Sequence, residues 1–337
     1  MIIDTSPLSL TNYGEYEILN TFFKAKYTES QGAEPPPSIY AHLCDFSPMI
    51  DSNKPYKLEK FRILFDDLVN EGYATEPSQA EYEPFELPLT KENWTLSLSG
   101  SDYKATSKQI NFTSKSEAFD EVTHLVLTLG KKHIIAYSEL TAPLTISAND
   151  KVWFTASVTY KDASGSSGLF SEGSRIVLEC FFHALDRLNH IKTLTSRSSR
   201  FFEVALFSDA PSQTDKIGDL STEPDAEKDS PKYFRYGLPI DSWNIQVLGR
   251  NYEALKVLSK PVYFENKGSV SDTERRGIRD EINRGQNKSW LPVSYAVLIY
   301  HDYTGVLYPI DYTALTGAPI TLAPGERIDL KYEFKQQ

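Results

Sequence analysis

The chain has 337 residues, 40% of them hydrophobic and 24% charged, the balance of a soluble globular protein long enough for two domains of ordinary size. A formal net charge of −11 argues against nucleic acid as the main partner, because phosphate binding draws on clustered Lys and Arg. Two cysteines, Cys44 and Cys180, cannot build a disulfide framework or a zinc site, and both lie in apolar runs (AHLCDF, VLECFF) as buried thiols do.

The opening stretch, MIIDTSPLSLTNYG, has an early acid, no basic start and no long apolar core, so it does not read as a signal peptide. No stretch nears the roughly 18 apolar residues of a membrane span. EYEILNTFFKAK then carries Leu19, Phe22 and Phe23 at helical spacing. Ile39 to Pro48 reads as a strand running into a Pro-terminated turn. Residues 52–72 form a polar excursion in which FRILFDDLV predicts a short helix. NWTLSLSG (93–100), Ile110 to Phe112 and VTHLVLTL (122–129) read as strands, and PLTISANDKVWF (143–154) as strand, turn and strand.

After KDASGSSGLFSEGS (161–174), which has the composition of a flexible linker, the same order comes again. Leu178, Phe181 and Phe182 in RIVLECFFHALDRL repeat the helical stripe, and Phe202 to Pro211 repeats the strand with its Pro turn. SWNIQVLG (242–249) matches NWTLSLSG, with Trp243 against Trp94 and Gly249 against Gly100. Val262 to Phe264, VSYAVLIY (293–300) and PITLAPGERIDL (319–330) complete six matches in one order. They predict an internal duplication: copy 1 over 1–161, a linker over 162–173, and copy 2 over 174–337 with exposed loop insertions at 214–232 and 268–289.

The end of copy 2 alternates Ile328, Leu330, Tyr332 and Phe334 with Asp329, Lys331, Glu333 and Lys335, which gives one apolar and one charged face. That is an antiparallel strand with one face in water. The predicted fold is mainly β: two tandem homologous antiparallel β-sandwich, jelly-roll-like domains, each with a short N-terminal α-helix. Trp94 and Trp243 are expected in the cores. In copy 1 the opposite face of the matching strand is Trp153, Thr155, Ser157 and Thr159, with no charge. It is either a neutral solvated face or a candidate protein interface, since Trp favours contact centres.

No catalytic motif emerges: there is no GxGxxG after a strand, no P-loop, no HExxH and no GxSxG. The six histidines lack metal-ligand spacing; His183 and His190 stand two helical turns apart. No cofactor is therefore expected. Arg275, Arg276, Arg279 and Arg284 cluster in TERRGIRDEINRGQNK, either as a grip for an acidic partner or a phosphate or, with Glu274, Asp280 and Glu281 interleaved, as a mixed-sign exposed loop.

Each unit resembles a family of small tailed-bacteriophage virion proteins described as tail or tail-fibre proteins. The family pattern joins a short N-terminal helix, a strand like "VALFTxDP", a "GYAR"-like segment and a closing "VTHFxIxD…GxLLYxGxLxxPxTVxxGDxxxF". Copy 2 is similar at Val204 to Pro211 and from Val293 through Ile320 to Glu326; copy 1 at Gly72 to Thr75, Val122 to Leu125, Ile135 to Leu140, Pro143 and Asn149-Asp150. The Gly-Asp turn of the pattern is Asn-Asp in copy 1 and Gly-Glu in copy 2.

The resemblance implies a non-enzymatic virion structural protein, assembled in the host bacterial cytoplasm, whose partners are other virion proteins and itself. Two similar domains per chain suit a tail, baseplate or neck adaptor in a trimeric, pseudo-hexameric ring. A head decoration protein is the first alternative. The second is a carbohydrate-binding adhesin, which loop aromatics at equivalent places in both copies would favour; Tyr252, Tyr303 and Tyr308 lie in copy 2 loops without clear partners in copy 1.

Overall fold

Alternating β-branched and aromatic residues make the chain mainly β. The computed structural model describes residues 2–3, 8–10, 12–23, 35–46, 64–99, 102–159, 167–169, 171–193, 201–212, 215–220, 223–224, 233–248, 254–266, 289–302 and 304–336. The first half runs β1 (Ile2–Ile3), β2 (Ser9–Leu10), α1 (Asn12–Phe23), β3 (Ile39–Phe46), α2 (Phe65–Asn70), β4 (Ala74–Thr75), β5 (Phe85–Leu87) and β6 (Trp94–Ser99). It continues with β7 (Asp102–Ser107), β8 (Ile110–Thr113), β9 (Val122–Leu129), β10 (His133–Leu144), β11 (Lys151–Phe154) and β12 (Ser157–Thr159). The second half runs β13 (Ser167–Leu169), α3 (Ser171–Phe182), α4 (Ala184–Thr193), β14 (Phe201–Phe207), β15 (Tyr236–Pro239), β16 (Trp243–Leu248) and β17 (Ala254–Ser259). It ends with β18 (Val262–Glu265), β19 (Tyr295–His301), β20 (Leu307–Ala314), β21 (Arg327–Leu330) and β22 (Glu333–Gln336).

The larger sheets have the orders β2-β10-β9-β3-β4, with β5 also on β3, and β13-β20-β19-β14-β15. The smaller ones are β12-β7-β6 and β1-β11-β8 in the first half, β16-β17-β22 and β18-β21 in the second. These orders correspond strand for strand apart from β1 and β4. Pairing is antiparallel except for β1, which lies parallel to β11.

Interior details correspond as closely. The Tyr82 hydroxyl accepts the Leu43 N–H at 2.8 Å, its ring stacks on Phe112 and Phe119 meets its edge. Tyr233 takes the Leu206 N–H at 2.7 Å between Phe264 and Trp290. Val152, Phe154, Ala156 and Val158 are buried in alternation, but the single strand expected there is two. The chain passes from one sheet to another between β11 and β12, and again between β21 and β22. A serine holds each crossing: the Ala156 N–H donates to Ser107 Oγ and the Tyr332 N–H to Ser259 Oγ, both at 2.9 Å.

The helices do not stay within their own halves. α1 lies on β10 so closely that a Cβ on Gly14 would sit 2.1 Å from the Ile135 carbonyl oxygen, and Gly173 of α3 approaches Ile310 on β20 in the same way at 2.3 Å. Their far ends then cross over. Phe23 packs on Trp243 at 4.8 Å and 48°, and on Phe202 and Phe334, all in the second half. Phe182 packs on Trp94 of the first half at 4.5 Å and 47°. Trp94 and Trp243 are thus buried as expected, each beneath the other half's helix. One continuous apolar core results, holding Ile18, Phe22, Leu127 and Val158 together with Val177, Phe181, Leu298 and Phe334.

Three sequence expectations change. The stretch 162–173 is not all linker, because Ser167–Leu169 pairs with β20 as the edge strand β13 and α3 starts at Ser171. Backbone pairing needs only N–H and C=O groups, which Gly and Ser supply as well as any residue. The second half has two helices in succession, and α4 crosses back: the Leu185 N–H donates to the Leu89 carbonyl and Asp186 takes the Lys91 N–H at 2.6 Å. The first insertion is not merely an exposed loop, whereas the short helix expected in the excursion is present as α2. Phe65 and Leu68 of α2 cover Cys44, Val126 and Ile134 on the outer face of one larger sheet. Ile217 and Leu220 pack over Ala205, Phe207 and Val297 on the other. The insertion at 268–289 lies outside the described residues except for Ser289.

A core that crosses between halves should melt as one. We expect Trp94→Ala and Trp243→Ala each to cost about 3–5 kcal/mol in urea unfolding and to shift the same single transition. Two transitions, each moved by one of the two substitutions, would contradict the crossed packing. Gly173→Ala should destabilise the whole chain by about 1–3 kcal/mol through overpacking against β20.

Candidate interaction surface

Because α1 and α3 fill the interior, chemistry must be sought on outer faces and edges. Of the expected interface residues, Trp153 is half-buried on β11, Thr155 is exposed at the crossing to β12, and Ser157 and Thr159 are half-buried on β12. The backbone of Trp153 pairs with Asn111 of β8 on one side and Ile2 of β1 on the other, and Lys151 Nζ stands 5.9 Å from its ring centroid. The Leu8 N–H donates to the Ser157 carbonyl at 2.9 Å. The leading segment therefore borders this neutral patch. Arg275, Arg276, Arg279 and Arg284 lie outside the described residues.

The second half carries an aromatic surface that sequence reasoning missed. Phe234 is 75% exposed and Tyr263 is 43% exposed. Tyr263 meets the Tyr236 ring edge-on at 5.5 Å, and the Arg327 guanidinium lies 4.2 Å from its centroid while bonding Asp329. In KYFRYG only one of three aromatics is buried fully, Tyr233, because it turns inward to cap β14. The sequence pattern, aromatic on both sides of Arg235, does not distinguish them. Leu98 and Val306 are further exposed apolar residues.

The polar groups on the outer sheet faces pin the covering segments. His42 bonds Glu76 at 2.8 Å and Thr128 at 2.9 Å. Arg235 binds Glu223 at 2.6 Å and reaches Glu203, which also pairs with His301 at 2.9 Å. The hydrogen bond to Glu223 raises the affinity of Arg235 for its proton. Within the core, His183 Nε2 lies 2.9 Å from the Trp94 carbonyl, and burial lowers its pKa. Arg187, almost fully buried, pairs with Glu179 at 3.4 Å and meets the Tyr300 hydroxyl at 3.3 Å. These contacts tie α3 and the start of α4 to the sheets around them.

Cys44 and Cys180 are buried free thiols, and desolvation pushes the Cys44 pKa up, with Glu76 and Asp45 adding to it, so it is a poor nucleophile. Among the described residues no three His, Cys, Asp or Glu side chains come together to hold a metal ion. No helix among them is long and apolar enough to cross a membrane. What the described surface offers is sheet edges and exposed aromatic side chains, which are suited to contact with another chain.

One carboxyl reports on helix packing. Burial raises Glu15, in the first turn of α1, from 4.5 to about 7. Folding favours its protonated form, so its contribution is complete below pH 4.5 and is lost as pH rises through about 7. The loss is bounded at about 3 kcal/mol. Glu15→Gln should flatten the fall in unfolding free energy between pH 5 and 8; an equal fall in both proteins would place the effect elsewhere. Comparison with protein-family models, curated proteins and solved structures yields no match to this chain.

Proposed function

We propose that this chain is a non-enzymatic structural protein of a tailed-bacteriophage virion, an adaptor subunit of the tail, baseplate or neck. It consists of two copies of one β-sandwich unit, fused and interlocked through their helices. The observation that carries the duplication is the paired geometry of Phe23 on Trp243 and Phe182 on Trp94, two ring contacts within 0.3 Å and 1° of one another across halves that share little sequence. Matched strand orders and the two serine-held crossings support the same reading.

The virion assignment draws on the sequence resemblance to phage tail proteins. It is supported by an interior given over to packing and, among the described residues, by exposed sheet edges and aromatic side chains. Three such chains present six similar units, which suits the change between sixfold and threefold symmetry along a tail. The exposed Phe234 and Tyr263 favour protein contact over sugar stacking, because one face of Tyr263 is already taken by Arg327.

Mass spectrometry of purified particles, counting this chain against the major capsid protein, tests the reading. A few copies per particle are expected, in a multiple of three; hundreds would make it a head decoration protein, and none would remove it from the virion. Trp153→Glu should leave the melting temperature nearly unchanged while lowering the oligomer seen by sedimentation, and a lower melting temperature with unchanged assembly would reject this patch.

A further inference from the structure

Residues 182–186, at the break between α3 and α4, clasp residues 89–94 of the first half. Phe182 covers the Trp94 ring, and the His183 ring meets the Trp94 carbonyl at 2.9 Å. The Leu185 N–H donates to the Leu89 carbonyl at 3.0 Å, and the Asp186 carboxylate takes the Lys91 N–H at 2.6 Å. One member of this clasp can change its charge. A carbonyl only accepts, so His183 Nε2 carries the proton of the neutral ring and donates to Trp94. Nδ1 is then an acceptor, and it is buried with no hydrogen-bond partner among the described residues. The neutral ring leaves one lone pair idle there. A protonated ring puts a second N–H and a full positive charge into a site where His183 is only 7% exposed.

We propose that His183 makes this clasp acid-sensitive: protonation of its ring releases residues 182–186 from residues 89–94 and uncovers Trp94, while the contact of Phe23 with Trp243 stays closed. The other seam sets Phe23 against Phe202, Trp243 and Phe334, side chains that do not titrate. Each of the sheets lies within one half, so release of the clasp parts a helix end from a sheet without breaking strand pairing. Local openings of this kind occur well below the cost of global unfolding.

The charges around the ring set the balance. Glu179 on α3 and Asp186 on α4 favour the imidazolium, and Lys91 on the clasped stretch opposes it. Glu179 is shared with Arg175 and with Arg187 of α4, which partly neutralises its pull. Burial is the largest influence and lowers the His183 pKa from the 6.5 of a free imidazole. Its contribution to the closed form is therefore complete above pH 6.5 and is lost as pH falls below it. Glu15 titrates with the opposite sign, its contribution being lost as pH rises.

The test is amide hydrogen exchange of the full chain at pH 5 and pH 7, corrected for intrinsic exchange rates and made in a Glu15→Gln background to remove that competing titration. Peptides spanning 89–94 and 182–186 are expected to open severalfold more at the lower pH, with a ceiling of about tenfold per pH unit. Peptides spanning 201–207 and 243–248 should stay protected. His183→Gln, whose amide N–H can still donate to the Trp94 carbonyl but does not titrate, should abolish the acid response. Asp186→Asn, whose side-chain oxygen can still take the Lys91 N–H, removes a charge that favours the imidazolium and should enlarge the response. A clasp that stays fully protected at pH 5, an acid response that survives in His183→Gln, a response in Asp186→Asn no larger than its parent's, or equal opening of both seams overturns the proposal.

Discussion

Phe23 lies against Trp243 and Phe182 against Trp94, so each helix delivers its largest apolar side chains to the sheets that the other half builds. Burying an aromatic side chain contributes roughly 1.5–3 kcal/mol, and here that contribution accrues to the half that did not encode it. The close seating of Gly14 and Gly173 on β10 and β20 follows from the same arrangement: each helix must lie flat on its own sheet for its end to reach the neighbouring one. Arg187, His183 and Asp186 then tie the region beyond Phe182 to both halves. The interior is thus committed to joining, which leaves outer faces and edges as the parts free to differ.

They do differ. One larger sheet is covered by α2 and held by the His42–Glu76 contact; the other is covered by Ile217 and Leu220 and held by Arg235 between Glu223 and Glu203. Unrelated segments do the same physical task, keeping apolar outer faces from water. The matching inner residues and mismatched covers explain why the correspondence between the halves is faint in sequence but plain in strand order.

Much of the fold was legible in the residues. The stripe Leu19, Phe22, Phe23 and its echo Leu178, Phe181, Phe182 marked both helices, and Ile328, Leu330, Tyr332 and Phe334 marked an alternating apolar face. Which sheet those phenylalanines enter was not legible, because an apolar stripe states that a face is buried and not what covers it. The linker misread has a similar cause: β13 is held by backbone pairing, which leaves no side-chain signature. Tyr82 and Tyr233 went unnoticed because EYEPFE and KYFRYG share only the tyrosine, and its value lies in a hydroxyl aimed at a distant backbone N–H. The candidate surface was less legible still. Trp153 stood out by its neutral neighbours, whereas Phe234 is distinguished from Tyr233 only by the direction each side chain takes.

The crossed helices also set an order of events during synthesis. When the ribosome has released the first 160 residues, every strand of the first half exists, yet Trp94 has no covering ring until Phe182 emerges. Phe22 and Phe23 wait longer, for Phe202, Trp243 and finally Phe334, more than 300 residues further on. A nascent chain therefore carries exposed aromatic surface until those partners have been made, a state open to wrong partners. Fusing the two halves in one chain shortens that interval, since the completing helix follows its seat on the same chain instead of arriving by diffusion.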